Sequence, residues 1–167
     1  MYDEIFGEIE YDYGYVAKKE IAFFGERQDV DVLIDCEEEE EIKQVQRDAF
    51  EALMQNWEEM QHKIVSAILE FYNEKEKYSW GPDEEDEEYE EWWPGIDSEE
   101  EMVKKIHLDG IVIQADYLME MKGENPIYVL FDRDWGGEDY DDNGVAVFIE
   151  DGEVSRVGHK DIAFSFA

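Results

Sequence analysis

Residues 29–71 read DVDVLIDCEEEEEIKQVQRDAFEALMQNWEEMQHKIVSAILEF, and within this stretch the spacing of the apolar side chains changes. Val30, Val32 and Ile34 alternate with Asp29, Asp31, Leu33 and Asp35, the period of two that turns one strand face to a core and the other to water. From Ile42 the step becomes three or four. Ile42, Val45, Ala49, Leu53, Trp57, Met60, Ile64, Ile68 and Phe71 make one stripe of an amphipathic helix. Carried to about Glu76, such a helix would span ~50 Å at 1.5 Å per residue, so a break or kink is expected between Asn56 and Lys63. Glu37 to Glu41 fall in its expected first turn, where free backbone N–H groups and the positive dipole end stabilise negative charge. Capping and partner recognition both fit that patch.

Strand signals lie on either side. Ile5, Gly7, Ile9 and Tyr11 alternate with more polar neighbours, and residues 15–24 form a second extended run. Asp12-Tyr13-Gly14 and Gly25-Glu26-Arg27 supply turns, which gives a three-stranded meander. Ser98, with Glu101 three residues on, marks the start of a short helix to about Lys105. Further strands are expected at 106–114, 127–132, 145–150 and 153–157, with Asp151-Gly152 as a two-residue hairpin turn and 162–166 as an edge strand. Strands, then helix, then strands joined by local turns argue α+β. The expected architecture is a single domain over 1–167, an antiparallel sheet covered by one long or broken helix.

Composition bounds the partners. Forty-eight Asp and Glu oppose fourteen Lys and Arg, a formal charge of -34 on 167 residues. A polyanion this dense repels phosphates, which excludes direct binding of nucleic acid or an anionic membrane and favours a basic protein or a metal ion. With 43% hydrophobic and 14% aromatic residues the chain has the material for a core, so the charge belongs on the surface of something folded. The opening Met1-Tyr2-Asp3-Glu4 has no basic or apolar leader character, and Cys36 is the sole cysteine. Both point to a cytoplasmic, reducing compartment.

Residues 83–91 hold Tyr89 as their only uncharged side chain and are bordered by Trp80, Trp92 and Trp93. Like charges at this density do not pack, so a solvated loop is expected. Its acidic and aromatic residues, Glu84, Glu85, Asp86, Glu87, Glu88, Tyr89, Trp92 and Trp93, are the leading candidates for contacting a partner, charge steering and aromatics anchoring. The alternatives are a solubilising loop and tryptophans folded back on the sheet or helix. Asp139, Asp141, Asn143 and Glu150 match the spacing of a calcium loop, with Gly144 at the bend. Strands flank them where that loop requires helices, so an Asp-rich strand connection is the plainer reading and weak Ca²⁺ binding the alternative. No nucleophile elbow, phosphate loop or zinc signature occurs. His62, His107 and His159 lie far apart and read as surface or structural residues.

Several stretches resemble an uncharacterised family of bacterial α+β domains, some found near toxin and immunity genes. They are Phe6-Gly7-Glu8-Ile9, Ile21-Ala22-Phe23-Phe24-Gly25, Gln46-Arg47-Asp48-Ala49-Phe50, Leu108-Asp109-Gly110-Ile111-Val112-Ile113 and Leu130-Phe131-Asp132 with Trp135. Gly144-Val145-Ala146-Val147 and Asp151-Gly152-Glu153-Val154 complete the set. The resemblance implies a bacterial, cytoplasmic domain, carries no functional residues, and implies that the connection from Trp135 to Gly144 is not a metal loop.

These readings converge on a non-enzymatic, acidic protein-binding domain of the immunity or inhibitor kind that occludes a basic partner such as a toxin nuclease. A nucleic-acid mimic aimed at a DNA-binding protein is the second expectation. A divalent-metal protein or carboxylate-based enzyme using residues 139–150 is the third.

Overall fold

The computed structural model describes residues 2–11, 14–35, 41–74, 85, 87, 95–113, 127–133, 144–150 and 153–159. Their strands are β1 (Tyr2–Asp3), β2 (Gly7–Tyr11), β3 (Tyr15–Phe23), β4 (Glu26–Ile34), β5 (Ile106–Ile113), β6 (Ile127–Arg133), β7 (Val145–Glu150) and β8 (Glu153–His159). The helices are α1 (Gln44–Gln55), α2 (Trp57–Glu74) and α3 (Glu99–Val103). The fold is mixed α+β and mostly sheet: all eight strands join one sheet in chain order.

One pair departs from the antiparallel arrangement expected above. β4 and β5 run parallel, in register from Asp31↔Gly110 to Ile34↔Ile113. The connection between them contains all three helices, long enough to return the chain to the end of the sheet where β4 began. The remaining neighbours are antiparallel.

Alternation in β4 places Val30, Val32 and Ile34 at 2%, 0% and 0% exposure, while Asp29 and Asp31 face water. The inward side chains share one core with Trp57, Met60, Ile64, Ile68 and Tyr72 of α2 and with Met102 of α3. β6 and β7 are buried on both faces. Ile127, Val129 and Phe131 belong to that core, whereas Tyr128, Leu130, Ala146 and Phe148 form a second cluster with Val112 on the opposite side. Burial on both faces is the physical reason residues 145–149 read VAVFI without polar alternation.

The helical stripe breaks at Asn56, at the start of the window in which an interruption is expected. Asn56 leaves helical geometry (φ -108°, ψ 17°), and its backbone N–H and side-chain amide both donate to the Ala52 carbonyl. Met60 N–H then donates to the Asn56 carbonyl at 2.8 Å, starting the ladder of α2. The expectation that Glu37 to Glu41 occupy the first turn of the helix does not hold. α1 begins at Gln44 behind Lys43, with no acidic residue in its first turn; Glu41 precedes it, exposed, and 37–40 lie outside the described residues. Gln46 sets that start, accepting from the Lys43 backbone N–H (3.0 Å) and donating to the Asp35 carbonyl (2.9 Å).

The turn between β3 and β4 is also one residue earlier than read, at Phe24–Gly25, with Glu26 and Arg27 already in β4. Both turn residues have positive φ (49° and 86°), the two-residue hairpin geometry that matches strand twist. Phe24 tolerates it because its N–H donates to Gln61 Oε1 (2.6 Å) and its ring packs edge-on against Phe23 and His62. At Gly110 a side chain would force the backbone to shift: a Cβ there would stand 2.9 Å from the Asp31 carbonyl oxygen, beside the irregular pairing at Leu108 and Gly110. No helix among the described residues is long and apolar enough to cross a membrane.

Candidate partner-binding surface

Because β2, β3 and β4 send alternate residues outward, one sheet face presents Glu8, Glu10, Glu20, Asp29 and Asp31 against Lys18 and Arg27. Arg27 bonds Glu20 at 3.0 Å, both well exposed, and Lys18 stands across the ladder from Asp31. Glu8, Glu10, Asp29 and Asp31 form no ion pair among the described residues. Carboxylates two residues apart on one strand are held ~7 Å apart, and β2 and β4 lie ~10 Å apart across β3. The backbone thus sets a regular spacing for the bases of these acidic side chains.

The helical side is acidic too. Glu58 and Glu59 sit in the first turn of α2 and Glu99, Glu100 and Glu101 in that of α3, where the dipole favours them. Ser98 Oγ accepts the Glu101 N–H at 3.2 Å, the cap read from sequence. Lys63 reaches Glu153 at 2.9 Å and Glu59 at 3.8 Å, joining α2 to β8; its hydrogen bond to Glu153 raises its pKa.

Arg47 is committed to a pairing within the fold. Arg47 Nε and Nη2 both donate to Asp3 Oδ2 (2.9 and 2.7 Å), while Asp3 Oδ1 accepts from the N–H groups of Ile5 (2.9 Å) and Phe6 (3.2 Å). Burial works to raise the Asp3 pKa, but the bonds from Arg47 and the two amides outweigh it and hold the carboxyl below its ordinary range. Asp3 in turn raises the pKa of Arg47. With Phe6 against Phe50 (centroids 5.2 Å apart), this pair docks the first hairpin on α1. The stretches Phe6 to Ile9 and Gln46 to Phe50 therefore do structural work. So does Ile21 to Gly25, where the Ala22 carbonyl accepts from Trp57 Nε1 (2.5 Å) and the Phe24 N–H donates to Gln61 Oε1.

Of the acidic loop residues, Glu85 and Glu87 are in turns and exposed. Glu84, Asp86, Glu88, Tyr89, Trp92 and Trp93 lie outside the described residues, as do Asp139, Asp141 and Asn143. Glu150 is the last residue of β7, paired with Glu153. Among the described residues no three His, Cys, Asp or Glu converge as a metal site would require. His62 is exposed against the Phe24 ring, His107 is half-buried in β5, and His159 ends β8. Sequence reasoning placed the candidate surface on the loop and passed over the sheet-face carboxylates, although the period of two in 29–35 was the signal for them.

Residues 5–164 match a domain of unknown function, DUF6985, and the chain belongs to that family. No curated protein and no solved structure gives a match.

Proposed function

We propose that this DUF6985 domain is a non-enzymatic binding protein that occludes a basic protein partner with its carboxylate surface, in the manner of an immunity protein or inhibitor working in a reducing cytoplasm. The observation that carries the reading is the set of exposed carboxylates with no cationic partner among the described residues: Glu8, Glu10, Asp29 and Asp31 on the sheet, Glu58, Glu70, Glu99 and Glu100 on the helices. Such charge speeds encounter with a basic surface, and aromatic anchors set the residence time. A nuclease with a basic cleft is the target class that fits. The acidic segment 83–91, with Trp92 and Trp93, supplies the anchoring contacts in this reading, and residues 139–150 take no part.

The test is affinity capture from the native host lysate, washed at low and then high salt. A single basic protein retained at high salt is expected. A diffuse set of basic proteins, all released as salt rises, refutes the reading and leaves the charge a solubilising coat.

The regular ~7 by ~10 Å spacing of acidic residues on β2 and β4 favours a second reading, a nucleic-acid mimic. Deleting residues 83–91 separates the two. Lost capture supports loop-mediated occlusion, and retained capture that falls on Glu8→Gln/Glu10→Gln supports the mimic.

A further inference from the structure

β4 and β5 pair only from Asp31↔Gly110 to Ile34↔Ile113, although β4 begins at Glu26 and β5 at Ile106. Ahead of that junction β4 stays with β3 as far as the Phe23↔Glu26 pair, and β5 stays with β6 as far as Ile106↔Arg133, so the sheet splits between them. Asp35 N–H donates to the Ile113 carbonyl at 2.9 Å, and the alternation of backbone direction along a strand turns the N–H and C=O of Arg27 and Asp29 to that same side. Among the described residues no strand pairs with them there. Strand groups left open in this way are a template for another extended chain.

A cleft of about 220 Å³ is lined from both sides of the split. Phe23, Phe24, Val103, Ile106 and Leu108 give it an apolar wall. Phe24 is held at φ 49°, a strained conformation for a bulky residue, by the bond from its N–H to Gln61, with its ring edge-on to Phe23. The rim is mixed: Glu26 and Gln28 on β4, Lys104 at the end of α3 and His107 on β5. Glu26 and Lys104 are exposed and form no ion pair among the described residues. One carboxylate, one ammonium and an amide offer both donors and acceptors, the complement of a peptide backbone more than of an ion. The volume lies below the range of larger ligands and admits one leucine- or phenylalanine-sized side chain. Beside the split, Asp29 and Asp31 project from the outer face of β4.

We infer that the cleft is the docking site for an extended segment of the basic partner, which inserts one apolar side chain and sets basic residues beside Asp29 and Asp31. The inference rests on the proposed function and names the anchor within it. The apolar side chain would enter against Phe24 and Val103, the segment's backbone would bond the open groups of β4, and alternation would carry its neighbouring residues to the outer face. Apolar burial then holds what charge attracts.

The test uses the full chain and two capped peptides, Ac-Lys-Leu-Lys-NH2 and Ac-Lys-Ser-Lys-NH2, titrated by NMR at moderate salt. The leucine peptide is expected to shift the amides of Phe24, Gln28, Val103 and His107 and to bind roughly tenfold tighter than the serine peptide. Equal binding by the two shows that charge alone is read, which overturns the inference. Leucine-dependent shifts centred elsewhere, the result if another part of the chain already fills the cleft, overturn it too. Gln28→Trp, which fills the cleft, should weaken the leucine peptide roughly tenfold, and Glu8→Gln/Glu10→Gln, which removes charge elsewhere on the sheet, less than about twofold. Equal weakening refutes the site. Lys104→Ala, at the exposed rim, keeps the test open should Gln28→Trp fail to fold. It makes the chain more negative, so charge alone predicts tighter binding of these cationic peptides; weaker binding supports the inference, and unchanged or tighter binding counts against it. Partner capture at high salt that survives Gln28→Trp leaves the proposed function standing and removes the cleft from it. Leucine-peptide binding as expected, with no partner captured by the wild type, keeps the cleft and removes the proposed function.

Discussion

Replacing Arg47 by alanine should destabilise the protein far more than removing any surface cation. The substitution takes away two charge-assisted hydrogen bonds, at 2.7 and 2.9 Å, from a carboxylate that is 7% exposed. Breaking a buried ion pair by deleting one partner costs ~3–5 kcal/mol. The Arg47 side chain is itself 26% exposed, so water reaches the abandoned oxygen and the expected loss is about 2–3 kcal/mol. Read by tryptophan fluorescence in urea, with a slope of about 2 kcal/mol per molar, the midpoint falls by about 1–1.5 M. Asp3→Asn keeps an acceptor for Ile5 and Phe6 but turns amide hydrogens toward the guanidinium, for a similar loss. A double-mutant cycle should return a coupling of about 2 kcal/mol.

The pH dependence has a definite sign. The folded Asp3 carboxyl titrates below its unfolded value of about 4. Its contribution is therefore complete above that unfolded value and is lost as pH falls through the folded one. The deficit of the Arg47→Ala variant should narrow below about pH 4. Arg27→Ala, which removes the exposed partner of Glu20, is the control and should change stability by no more than about 0.5 kcal/mol. If Arg47→Ala falls within that same margin at pH 7, or its deficit does not change with pH, the buried-pair reasoning is wrong.

Other outcomes follow from the same physics. With a formal charge of -34, the melting temperature should rise with added NaCl and more steeply with MgCl₂, because screening relieves self-repulsion; a fall in NaCl contradicts it. Gly110→Ala should cost about 1–3 kcal/mol in urea melts, since its Cβ meets the Asp31 carbonyl oxygen at 2.9 Å; an unchanged midpoint would show that β4 and β5 part without penalty. Gln61→Leu leaves the Phe24 N–H without its acceptor and should cost about 1–3 kcal/mol, with faster hydrogen exchange at the hairpin tip as the local readout.

How much was legible follows from the range of each interaction. Period two in 29–35 and the three-or-four step from Ile42 are local consequences of solvating one face of an element, so β4 and the paired helices could be read directly. Ser98 with Glu101 was equally local. The turn at Phe24–Gly25 was misplaced by a residue because Gln61, far along the chain, holds Phe24 at positive φ. The first helical turn was misplaced because a buried glutamine, not the acidic run, fixes the start of α1.

By itself the sequence determined the elements, the mixed class and the excess of surface charge, since each depends on side-chain chemistry at short separation. Only the tertiary structure decided that β4 and β5 run parallel, that Arg47 is committed to Asp3, and that the start of β4 parts from β5 around a cleft. Those outcomes depend on which distant segments come to lie side by side, and periodicity within a segment carries no information about its neighbours in space.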